Sequence, residues 1–130
     1  MIITELGNEV KSLKTIPSGI VSEEEQKLIR AFLQGAVYAW CNCKKQEEFQ
    51  FATFLGNENY YWQGTPLYSL YYNQLNSDLS NSDEAFLEAA KYGGIALKQV
   101  LISDKRIFKA RKIISHKRGI SVNVYSWSGE

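Results

Sequence analysis

Few residues in this chain have side chains suited to chemistry. The single histidine, His116, lies in "SHKRG" beside Lys117 and Arg118. Cations at that distance lower an imidazole's pKa by like-charge repulsion. A catalytic base also needs a nucleophile in reach and a group to orient it. The neighbourhood supplies neither, so His116 reads as a solvated or phosphate-contacting side chain. Cys41 and Cys43 form a CxC pair. Each helical residue advances about 100°, which points these thiols roughly 200° apart. They are placed neither to share a metal nor to close a disulfide, and one histidine leaves no zinc set to complete. One buried and one near-surface thiol is expected. Glu84 and Glu88 share a helix face at i,i+4 beside Asp83. Acids near a helix start are accounted for by the macrodipole without invoking a carboxylate pair. Neither GxGxxG nor GxxxxGK[ST] occurs. The residues argue against an enzyme and predict no catalytic residue, metal or cofactor.

Charge is more informative than chemistry. The net charge is only +1 over 130 residues, but the charges are sorted along the chain. Residues 46–90 hold seven acids and no Lys or Arg; residues 91–118 hold nine cations against one acid, Asp104. Within that basic half, Lys105, Arg106, Lys109, Arg111, Lys112, His116, Lys117 and Arg118 form a candidate anion-binding segment. Read as a helix, Lys105, Lys109, Lys112 and His116 follow i, i+4, i+7, i+11, a basic ridge that would contact phosphates without reading sequence. Two short helices ahead of a basic element give the order of a helix-turn-helix. The loop at 57–64, however, is about twice the usual three- or four-residue turn. Residues 65–76 also offer no Arg or Lys to seat a recognition helix in a groove. A small anionic ligand gripped by Arg106, Arg111 and Arg118 is a further option, since guanidinium forks suit carboxylates and phosphates.

The second candidate surface is aromatic. "ENYYWQGTPLYSLYYNQL" carries six rings and no cation. Tyr and Trp combine a large apolar area with a polar tip and are enriched at protein interfaces. Tyr60, Tyr61, Trp62, Tyr68 and Tyr72 are therefore candidate partner contacts, with Trp62 alternatively folding inward to cap the core. The acidic middle and basic end also suit head-to-tail or two-fold self-association, so a homodimer is an expected alternative.

These side chains must be positioned by recognisable elements. "ITELGNEVKSL" reads as two short extended pieces about Gly7-Asn8, a turn dipeptide compatible with a tight hairpin. Ser22 followed by Glu23, Glu24 and Glu25 is a capping box that opens an amphipathic helix ending near Lys44-Lys45. A short helix over 47–55, a helix capped by Thr65-Pro66, and a helix starting near Ser82 are predicted next. Gly93-Gly94 marks a kink, a break or a close backbone approach. The basic stretch 104–118 is expected to be helical, and "ISVNVYSW" alternates as a strand. The predicted fold is α+β: one domain, mostly helical with four to five helices, and a small sheet joining the N-terminal segment to the C-terminal strand. With no long apolar run and acids at Glu5 and Glu9, a cytoplasmic protein is expected. The functional expectation is a non-enzymatic binding or regulatory protein. Its basic C-terminal helix would engage an anionic partner, most readily nucleic acid; the alternative is an interaction or inhibitor module using the aromatic surface.

Overall fold

A computed structural model describes residues 1–11, 14–55, 62–75, 82–114 and 121–129. In chain order the elements are strands β1 (Ile2–Thr4) and β2 (Glu9–Val10), helix α1 (Glu23–Lys44), a 3₁₀ turn (Phe51–Leu55), helices α2 (Tyr68–Leu75) and α3 (Ser82–Ser103), and strands β3 (Phe108–Ile114) and β4 (Ser121–Trp127). The four strands form one mixed sheet ordered β2-β1-β3-β4, with β1 parallel to β3 and the other pairs antiparallel. Gly7, at φ 84°, takes the left-handed turn of the β1–β2 hairpin.

Local chemistry accounts for α1. The Ser22 hydroxyl accepts from the Glu25 amide at 3.1 Å, and the Glu25 carboxylate accepts from the Ser22 amide at 2.9 Å. Ile29, Leu33, Val37 and Cys41 then recur every fourth residue and are buried. Helix α2 starts at Tyr68, two residues later than its proline suggests. The Thr65 hydroxyl donates to the Trp62 carbonyl at 2.8 Å, closing a turn ahead of the helix instead of capping it.

The mostly helical expectation is corrected here. The described residues hold three α-helices, and the predicted basic helix is the inner strand β3. Its backbone is satisfied on both sides, by Ile2, Ile3 and Thr4 of β1 and by seven register pairs with β4. Two sets of inter-strand bonds outweigh a helix propensity that spans well under 1 kcal/mol per ordinary residue. The predicted 47–55 helix also divides. Phe49 exchanges two backbone hydrogen bonds of 2.8 Å with Tyr125, an isolated bridge on the edge of β4, and only Phe51–Leu55 turns helically. The chain ends meet in the sheet, but β3 stands between them.

The face of the sheet carrying Ile2, Phe108 and Tyr125 turns toward the helices and joins the core. Phe49 lies within about 6 Å, ring to ring, of Trp40, Phe54, Phe108 and Tyr125. A second cluster places Trp62 against Phe51 and Phe86, at 5.8 and 5.5 Å. The glycine pair does not break α3, which runs unbroken through both residues. Gly93 admits the Phe51 ring, which a β-carbon would strike. At the far end of α3 the Met1 amino group donates to the carbonyls of Leu101, Asp104 and Arg106 at 2.8, 2.8 and 3.0 Å. These bonds tie β1 to the turn that leads into β3.

Candidate functional site: a lysine-rimmed cleft between α3 and the sheet

The basic segment does not form a ridge. Side chains alternate along a strand, so Lys109 and Arg111 project from one face of β3 and Lys112 from the other. Lys105 is exposed in the bend before the strand. Arg106 lies 3.3 Å from both Asp104 oxygens and stacks on Tyr38 and Trp127, at 4.6 and 5.5 Å from the ring centroids. Arg111 makes a two-pronged pair with Glu48, at 2.5 and 2.6 Å. This guanidinium hydrogen bond holds the Glu48 carboxyl below its usual pKa. Arg111 is the register partner of buried Val124, and Glu48 precedes the Phe49–Tyr125 bridge; the ion pair therefore spans β4 on the sheet's outer face. Both arginines hold the fold together instead of presenting free forks. His116, Lys117 and Arg118 lie outside the described residues.

The aromatic surface is also reduced. Trp62 is 1% exposed and belongs to the core, which removes it from any interface. Tyr72 is exposed and stands 5.9 Å from half-buried Tyr68. Tyr60 and Tyr61 lie outside the described residues.

The structure brings a different set together. An open cleft of about 1300 Å³ lies between the Phe86–Lys98 stretch of α3 and the sheet. It exists because the facing positions are small: Ala90 and Gly94 on α3, Thr4 and Ala110 on the sheet. Phe86, Trp62 and Tyr125 close its depth, each no more than 5% exposed. Burial holds the Tyr125 phenol above its ordinary pKa, against a smaller lowering by its hydrogen bond with Asn123. Among the described residues, Lys14, Lys91, Lys98, Arg111 and Lys112 line the cleft against the single carboxylate of Glu5. Lys14, Lys98 and Lys112 make no ion pair with a described residue. Lys91 lies 5.8 Å above the Tyr92 ring.

The cleft was only partly foreseeable. Lys91 and Lys98 belong to the basic half of the sequence, seven residues apart on one helix face. Ala90 and Gly94 sit at i,i+4 on the same helix, and the glycines signalled close approach. The opposite wall could not be placed while 104–118 was read as a helix. Lys112 and Arg111, the latter with its fork closed on Glu48, are the described members of the predicted segment found here; Lys105, Arg106 and Lys109 lie elsewhere.

Among the described residues no group of three or more His, Cys, Asp or Glu could hold a metal ion, and no described helix is long and apolar enough to cross a membrane. No known family, curated protein or solved structure matches the chain.

Proposed function

We propose that the chain is a small non-enzymatic binding protein whose anionic partner enters the cleft between α3 and the sheet. The supporting observation is the set of lysines over an apolar floor. Lys14, Lys98 and Lys112 have no ion-pair partner among the described residues, so their charge is available to a ligand. Concave, mostly apolar sites with a few placed polar groups are where small ligands bind. Nucleic acid is the less favoured partner, because the basic ridge that recommended it is split between two faces of β3. A protein partner or second copy at the aromatic surface is weakened by the loss of Trp62 to the core. A cytoplasmic setting, in keeping with two free thiols, belongs to the same reading.

The test is a fluorescence titration with anilinonaphthalene sulfonate, an anion with an apolar body. Emission should rise on binding. Affinity should fall with added salt, and it should fall at least tenfold when Lys14→Glu and Lys98→Glu are combined. No enhancement, or enhancement indifferent to both changes, would overturn the reading.

A further inference from the structure

We propose that the ligand of this cleft is a single-headed amphipathic anion of the long-chain carboxylate class. Its head is held by Lys98 and Lys14, and its tail lies along α3 over Gly94 and Ala90 toward Leu87. The inference rests on the anion-binding reading above and names the chemistry that reading leaves open.

The head position follows from α3 itself. Lys98 is half-buried whereas the other three cleft lysines are exposed, and it stands one turn from Gly94 on the cleft side. Gln99 donates to the Lys14 carbonyl at 3.1 Å, which brings Lys14 to the same end of the cleft. Their ammonium groups are point charges suited to a carboxylate. Among the described lining residues Arg111 supplies the guanidinium, and its fork is closed on Glu48.

The tail position follows from the glycine pair. Glycine costs about 1 kcal/mol against alanine inside a helix. Gly93 is explained by the Phe51 ring. A β-carbon on Gly94 would meet nothing within 4 Å, so packing does not require its absence. Gly35 of α1 is similarly open, but it faces solvent, whereas Gly94 is half-buried and lines the cleft. With Ala90 and Ala110, Gly94 leaves an apolar trough with room for a chain. From Lys98 to Leu87 the trough runs along eleven residues of helix, about 16 Å at 1.5 Å per residue, comparable with extended dodecanoate. Leu87 and Leu6, 45% and 88% exposed, are apolar lips at its edge. The Lys91 and Lys112 stems cover the tail while their charges stay in water.

The lining also argues against a nucleotide. Stacking a base needs an open aromatic face, and the described rings of the lining offer none. Trp62 and Phe86 direct their rings at each other, 5.5 Å apart, and neither is more than 5% exposed.

Calorimetric titration of the full chain with dodecanoate, butanoate and a single-stranded oligonucleotide tests this. Dodecanoate should bind at least tenfold more tightly than butanoate. Gly94→Leu, which fills the trough and favours the helix, should abolish that preference while thermal unfolding shows the fold retained. Lys98→Glu should weaken dodecanoate at least tenfold. If butanoate or the oligonucleotide binds as well as dodecanoate, and Lys98→Glu weakens it, the amphiphile falls while the anion reading survives. If dodecanoate binding ignores Gly94→Leu, the tail is elsewhere and the proposal is overturned. If none of the three binds, both readings fall.

Discussion

Gly93 and Gly94 are neighbours with opposite reasons to be glycine. A methyl at Gly93 would meet the Phe51 ring, and overpacking of that kind costs about 1–3 kcal/mol, offset by about 1 kcal/mol of helix propensity. A methyl at Gly94 meets open space and should stabilise the helix by about 0.5–1 kcal/mol. Urea unfolding of Gly93→Ala and Gly94→Ala should therefore give shifts of opposite sign. Shifts of one sign would contradict the division between them. The two thiols separate in the same way. Burial pushes the Cys41 thiol up, whereas Cys43 is exposed. A thiol reagent should consume one equivalent in the native protein and the second only on unfolding; two fast equivalents would place Cys41 wrongly. Glu48 gives a pH dependence. Its folded carboxyl titrates below the unfolded value, so its stabilising contribution is present above about pH 4.3 and is lost as pH falls through the folded pKa. The stability difference between wild type and Glu48→Gln should accordingly be small at neutral pH, because the pair is solvent-exposed, and should vanish in acid. A difference that grew below pH 4 would reverse the assignment.

At the scale of elements, β3 carries the architecture. It pairs on both sides, while β2 is a two-residue edge. Amide hydrogen exchange should therefore find Phe108, Lys109 and Ala110 among the slowest residues of the sheet and Glu9 among the fastest. Fast exchange across 108–110 would mean that β3 is not an inner strand. This element also marks where sequence reasoning stopped. Helix α1 was legible from its Ser22 box to its last lysines, because its caps and its buried stripe are local signals. The β1–β2 hairpin was legible from Gly7-Asn8 for the same reason. The "FKAR" start of β3 alternates apolar and basic residues, as a strand with one solvated face does. That signal is four residues long and competed with a helical spacing of lysines over a longer window. The deciding contribution, hydrogen bonds from both β1 and β4, comes from residues about a hundred positions away or from the far side of a hairpin. Phe49 repeats the lesson, since its strand-like alternation is real but is satisfied by one bridge to Tyr125. The cleft depended on that misread wall, so its lysines were visible in the sequence while their convergence was not.

At the scale of the molecule, the sheet is anchored to α3 at one end and stands away from it at the other. The Met1 amino group and the Phe108 and Ile2 side chains hold the anchored end, and small residues open the rest. Charge sorted along the sequence becomes charge gathered around that opening. The most direct test of this account is an amide chemical-shift map of the protein titrated with dodecanoate. The account predicts that shifts concentrate at Ala90, Gly94, Lys98, Ala110 and Tyr125, with Lys109, Ser126 and Tyr72 unmoved. Shifts confined to the outer face of the sheet or to the Tyr68–Tyr72 patch, or no shifts at all, would contradict it.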